Sequence, residues 1–191
     1  MTSAAERPIL FLDVDGPLIL FGTDFSGLQA PASDFEVSVE QGNPLLGRLA
    51  PDLGSRLTAL GCDLVWASTW MEEANEAVAP RIGLPRLPVV EWRDADADAD
   101  RSPLGLHWKT PRLVEWAKCR PFIWVDDEIS SMDRLWVAAQ HPGPSLLHRV
   151  DPAKGLEEAD FSVCADWLDA LGASRGAGAW KSPGALGTSC R

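Results

Sequence analysis

The stretch Ile9-Leu10-Phe11-Leu12-Asp13-Val14-Asp15-Gly16-Pro17-Leu18, ILFLDVDGPL, sets four apolar residues against two carboxylates one residue apart. An unbroken apolar run this short reads as a strand buried on both faces, the kind found inside a parallel sheet. Gly16-Pro17 ends it. Residues i and i+2 of a strand face the same way, so Asp13 and Asp15 leave the strand's end side by side.

Further apolar runs repeat the pattern along the chain. CDLVWAS (62–68) reads as a second buried strand, closing in the hydroxyls of Ser68 and Thr69. FIWV (122–125) reads as another, and it runs into Asp126-Asp127-Glu128. LPVVEW (87–92) is a weaker strand and SLLHRV (145–150) the last. FEVSVE (35–40) alternates and pairs with Leu18 to Phe21 as a hairpin.

Between these runs the spacing predicts helices. One covers about 44–60, with a break or restart at Pro51 and Gly54. A second covers 69–83, with acids in its first turn and Gly83 beyond its last. A third runs from Thr110 to about Cys119, opened by a capping hydroxyl and by Pro111 at the first helical position. The remaining helices cover 130–140 and 156–171. RDADADADRSPLG (93–105) reads as a solvated loop.

Strands and helices that alternate in this way predict an α/β fold, a mainly parallel sheet covered by helices on both sides. Residues 1–171 form one domain in this reading. The Gly-, Ala- and Ser-rich segment 172–191 reads as a disordered tail.

The bulk numbers exclude several classes. The 191 residues suit one domain with a sizeable core, and 46% hydrophobic with 24% charged residues is ordinary for a globular protein. A net charge of −11 argues against broad nucleic-acid binding, which needs a basic face, but leaves room for a local phosphate site. The four cysteines form no C-x-x-C pair, so free thiols in a reducing compartment are expected rather than zinc or a disulfide framework. The N-terminus MTSAAERPIL lacks a signal-peptide pattern, and no apolar run approaches the ~20 residues of a membrane span. The expectation is a cytoplasmic protein with no membrane partner.

In parallel sheets ligands bind beyond the carboxyl ends of the strands, where Asp13, Asp15, Asp126 and Asp127 all fall. Two unit charges 4 Å apart repel by about 4 kcal/mol at an effective dielectric near 20. Four acids in one pocket would therefore offset a large share of the ~5–15 kcal/mol that stabilises a domain. The pocket must take up protons or hold a cation. Ligands that are all oxygen favour a hard ion, and Mg²⁺ is usual beside phosphate. Lys109, just before a helix, can reach the same edge; Lys118 and Arg112 lie nearby, though Lys118 falls late in the helix. An anion held between Mg²⁺, a lysine and a hydroxyl describes a phosphate-transfer site.

Taken together, DVDG (13–16), VWAST (65–69), Lys109 and WVDD (124–127) resemble motifs I to IV of the haloacid dehalogenase-like (HAD) phosphatase superfamily, in the family's order. The resemblance spans about residues 8–170. It implies a Rossmann-like three-layer sandwich, a small flap hairpin, Mg²⁺ dependence and an aspartyl-phosphate intermediate. It implies Asp13 as nucleophile and Asp15 as general acid and then base, with the Asp15 backbone carbonyl facing the metal. Ser68, rather than Thr69, would hydrogen-bond the phosphoryl group. Lys109 would neutralise charge, and Asp126 and Asp127 would anchor Mg²⁺. Dehalogenase-type members generally lack the second acid, so Asp15 points to phosphate-ester hydrolysis. Pro17 departs from the Thr or Val common after DxDG and stiffens the turn.

Segment order separates the chain from response-regulator receivers, whose acid pair comes first and lysine last. It also separates it from Toprim domains, where a glutamate precedes DxD. Ser68-Thr69 also reads as a plain helix cap, which is compatible with a phosphate role. The tryptophans read mainly as core; Trp70, directly after those hydroxyls, is the exception and could stack on a base or ring. His107, His141 and His148 show no ligand spacing.

The intervals 17–60 and 70–108 leave little chain for a large cap domain, which implies an open site. The expected substrate is a phosphorylated small molecule or nucleotide. WASTW also resembles HAD domains associated with RNA-repair proteins, so a phosphatase acting on nucleic-acid 3′ or 5′ ends is the second reading. A non-catalytic HAD-like binding module is the third, and the intact acids speak against it. The sequence gives no oligomeric state.

Overall fold

The four-residue run that opens the chain's core is fully buried: Ile9, Leu10, Phe11 and Leu12 expose no surface. A computed structural model describes residues 6–21, 44–93 and 105–176. In it, Ile9–Leu12 forms strand β1, followed by β2 (Asp63–Trp66), β3 (Phe122–Asp126) and β4 (Ser145–Arg149). All pairings are parallel, in the order β2-β1-β3-β4. The helices are α1 (Leu53–Ala59), α2 (Ala79–Ile82), α3 (Thr110–Ala117), α4 (Ser131–Gln140) and α5 (Glu158–Gly176). A 3-10 turn (Pro44–Arg48) precedes α1, and a π-helical turn (Ala74–Val78) runs into α2. The chain is thus α/β with an all-parallel sheet among the described residues.

Alternation along each strand divides the core in two. Leu10, Leu12, Leu64, Trp66, Ile123 and Val125 pack with Leu53 and Leu57 of α1, with Val78 and Ile82, and with Phe161 of α5. Ile9, Phe11, Val65, Phe122, Trp124 and Leu147 pack on the other face with Leu113 and Ala117 of α3 and Val137 of α4. Each fully buried aliphatic side chain contributes roughly 1.5–3 kcal/mol, so the strand residues carry much of the fold's stability. Gly54 lets α1 lie against the end of α2, since a Cβ there would stand 1.9 Å from the Ile82 carbonyl oxygen.

The strand order fixes where a ligand can sit. The chain moves from β1 to β2 on one side, and from β3 to β4 on the other. Between β1 and β3 the winding therefore reverses. In sheets of this kind ligands bind at such a point, beyond the carboxyl ends of the strands.

Several expectations are corrected. LPVVEW contributes only a bridge between Trp66 and Val89, not a strand. Pro85 and Pro88 remove the donors that a longer ladder needs. Thr110 does not cap α3 but begins it, and its hydroxyl donates to Asp133 Oδ1 at 2.6 Å. A buried carboxylate is the stronger acceptor. The last helix runs through Gly172 to Gly176. Cys62 and Cys164 are free and buried, whereas Cys119 is disulfide-bonded, against the expectation of free thiols throughout. The hairpin strand read at 35–40, residues 94–104 of the acidic loop and residues 177–191 lie outside the described residues. Among the described residues, no helix is long and apolar enough to cross a membrane.

Candidate active site

Asp13 follows β1 directly and is tied to β3 by its backbone N–H, which donates to the Val125 carbonyl at 3.1 Å. Its Oδ1 accepts the next residue's N–H, from Val14, at 2.8 Å. The chain then turns tightly, with Leu18 and Ile19 N–H groups both reaching the Val14 carbonyl. Gly16 sits in that turn at φ +82, and a Cβ there would lie 2.5 Å from the Asp127 Cγ. Only glycine allows this conformation and this closeness together. The turn after β1 therefore rests on the acidic end of β3.

Lys109 closes the cluster. Its Nζ lies 2.5 Å from Asp13 Oδ2 and 2.8 Å from Asp126 Oδ2, and its side chain is 3% exposed. Asp126 exposes no surface; Trp124 Nε1 also donates to its Oδ2, and the Glu128 N–H donates to Oδ1. Ser68 is fully buried and its hydroxyl is near enough to Asp13 to favour the charged carboxylate, whereas Thr69 is exposed. Asp127 is half-buried, and Arg149 Nε donates to its backbone carbonyl at 2.7 Å.

Charge in this cluster is unbalanced. Burial, reinforced by the Asp126 charge, pushes the Asp13 carboxyl up to about 7, although Lys109 and Ser68 oppose the rise. Burial alone would lower the Lys109 ammonium, but Asp13 and Asp126 outweigh it and raise it. Lys109 thus keeps its charge. Burial and then Asp126 also raise Asp127. One ammonium faces three carboxylates.

Carboxylate oxygens of Asp13, Asp126 and Asp127 all lie within 4.8 Å of one another. An all-oxygen set with excess negative charge fits a hard divalent cation such as Mg²⁺. His107, Asp126 and Glu128 form a second cluster of donor atoms. There the imidazole is committed otherwise. His107 Nδ1 accepts the Lys109 N–H at 3.2 Å, so the neutral ring carries its proton on Nε2, 3.0 Å from Glu128 Oε2. A protonated Nε2 has no lone pair for a metal.

Asp15 stands apart from the oxygen cluster. Its Oδ2 accepts a hydrogen bond from the indole Nε1 of Trp70 at 2.9 Å. The loop carrying Trp70 is pinned from beyond as well, because Trp92 Nε1 donates to the Ser68 carbonyl at 2.9 Å.

Asp133 supports the cluster from behind and was not singled out in the sequence. Its Oδ1 accepts from the His107 N–H and the Thr110 hydroxyl, and its Oδ2 from the Ser130 N–H and hydroxyl. It thereby fastens the segment bearing Lys109 to the start of α4. The signal was legible: Ser130-x-x-Asp133 is a capping box, and both of its bonds form. The free cysteines are no competing nucleophiles. Burial raises Cys62 to about 11 and Cys164 to about 12, so both stay protonated at neutral pH.

Comparisons with protein-family profiles, with curated proteins and with solved structures find no match. The chemistry of the site is read from its own geometry.

Proposed function

We propose that the chain is a Mg²⁺-dependent phosphomonoester hydrolase of the HAD type, built on a Rossmann-like three-layer fold and acting through an aspartyl-phosphate on Asp13. The observation that carries this reading is one buried cluster at the switch point of the sheet. In it Asp13 pairs with Lys109, with Ser68 nearby and Asp126 and Asp127 alongside. A nucleophilic carboxylate held beside a fixed cation and a hydroxyl donor suits attack on a phosphoryl group.

An Asp13 carboxylate oxygen forms a bond to phosphorus as the bond from phosphorus to the ester oxygen breaks. Asp15, protonated, gives its proton to that departing oxygen. Asp15, now a carboxylate, takes a proton from a water that attacks the same phosphorus. The Asp13–phosphorus bond breaks, inorganic phosphate leaves and Asp13 is restored. Lys109 balances charge on Asp13 throughout, and Ser68 donates toward the phosphoryl oxygens. Mg²⁺, held by Asp13, Asp126 and Asp127, would neutralise phosphoryl charge.

The substrate class that fits is a phosphorylated small molecule or nucleotide. The test is hydrolysis of p-nitrophenyl phosphate with and without Mg²⁺, in the native chain and in Asp13→Asn. Mg²⁺-dependent release of phosphate that Asp13→Asn abolishes is the expected result. Full activity in the variant would refute the assignment. A panel of free nucleotides against phosphate-terminated oligonucleotides separates this reading from action on nucleic-acid ends, which predicts faster turnover of the oligonucleotides.

A further inference from the structure

We infer that Trp70 is a positioning residue for the general acid Asp15, an inference that rests on the phosphatase reading above. Three observations support it. The Trp70 indole N–H donates to Asp15 Oδ2 at 2.9 Å, across 55 residues of sequence. The next residue, Met71, holds a left-handed backbone at φ 48, one of two non-glycine residues with positive φ among the described residues. A side chain there costs energy, and such strain persists where the surroundings impose it. Third, the loop is anchored at Ser68. The Trp70 N–H reaches Ser68 Oγ at 3.4 Å, the Met71 N–H reaches the Ser68 carbonyl at 3.2 Å, and Trp92 holds that same carbonyl.

The chemistry gives this bond a purpose. Asp15 must present one oxygen to the leaving group and carry a proton on it. Trp70 is a donor only, and the carbonyl oxygen of a carboxylic acid is a better acceptor than its hydroxyl oxygen, so this bond favours the proton on the other oxygen. Engaging Oδ2 leaves Oδ1 to carry the proton and turn toward the ester. The same indole bridges the phosphoryl-binding Ser68 loop to the turn after β1. The acid and the hydroxyl therefore share one support.

The test exploits leaving-group chemistry. The ratio kcat/KM reports only the steps through departure of the ester oxygen. p-Nitrophenolate leaves without a proton, whereas an alkoxide needs one. In Trp70→Phe, kcat/KM for an alkyl phosphate such as glycerol 1-phosphate should fall about 10- to 100-fold, and for p-nitrophenyl phosphate by less than about 3-fold. Equal falls on both esters would mark a structural role and overturn the proposal, as would no fall on either. A native chain inactive on both esters would overturn the phosphatase reading itself, and this role with it.

A second measurement needs no turnover and no metal. In an indole ¹H–¹⁵N spectrum of the metal-free protein, Asp15→Asn should shift one tryptophan side-chain signal, the one missing in Trp70→Phe. An unmoved Trp70 signal in Asp15→Asn would overturn the contact. Where Trp70→Phe fails to fold, sequential resonance assignment of the native chain identifies the Trp70 indole signal instead, and the Asp15→Asn comparison is read on it.

Discussion

Lys109 Nζ and Asp13 Oδ2 meet at 2.5 Å although 96 residues separate them, and both side chains are buried. Neither would lie there alone. A buried ammonium needs a counter-charge, and here it serves two carboxylates at once. Lys109→Met should therefore destabilise the fold by about 3–5 kcal/mol, because Asp13 and Asp126 are left buried without a cation. Urea unfolding reads this. Adding Asp126→Asn to Lys109→Met should recover part of the loss. A Lys109→Met chain as stable as the native one would contradict the charge balance argued for the site.

The cation site makes a second, independent prediction. If the proposed site takes Mg²⁺ in the folded chain and not in the unfolded one, then at 100 times its Kd Mg²⁺ should add about 2.7 kcal/mol of stability and raise Tm accordingly. Asp127→Asn removes one of the three clustered carboxylates and should shrink that rise while leaving the Lys109–Asp13 pair intact. A thermal shift unchanged in Asp127→Asn would remove Asp127 from the ligand set.

Asp133 predicts a dependence on pH. Burial would raise its pKa, but hydrogen bonds from Ser130, Thr110 and His107 outweigh burial and hold it below 3.8. A depressed carboxylate contributes stability in full above its unfolded value and loses it as the pH falls through the folded value. Asp133→Asn should cost about 2–3 kcal/mol at pH 7, through acceptors lost to buried donors. The gap between native and variant should narrow as the pH drops below 3.8. Stability curves at pH 3 and pH 7 check the sign.

Gly16→Ala tests the contact between the two acidic turns. The added methyl meets Asp127 Cγ at 2.5 Å in a φ +82 backbone. Strain and displacement together should cost about 1–3 kcal/mol and lower the affinity for Mg²⁺ as well. A variant with native stability and native Mg²⁺ affinity would show that the turn moves freely.

Much of this architecture was legible along the chain. The apolar runs at Ile9, Asp63 and Phe122 became adjacent strands because each is buried on both faces, which leaves sheet pairing as the way to satisfy its backbone. The failures share a cause. Val89 makes only a bridge because prolines cancel a ladder that hydrophobicity alone suggested. Thr110 looked like a cap because its strongest partner, Asp133, comes later in the chain and meets it only after folding.

Local pattern thus determined the strands, the helices and the positions of Asp13, Asp15, Asp126 and Asp127 at strand ends, since these follow from short-range periodicity and turn chemistry. Folding alone decided which groups touch. The reversal of winding between β1 and β3 set Lys109 between two carboxylates, put Ser68 rather than Thr69 against Asp13, and gave Asp15 to Trp70. The physical reason is that a hydrogen bond or ion pair reaches about 3 Å, and a sequence carries no distances between residues far apart in it.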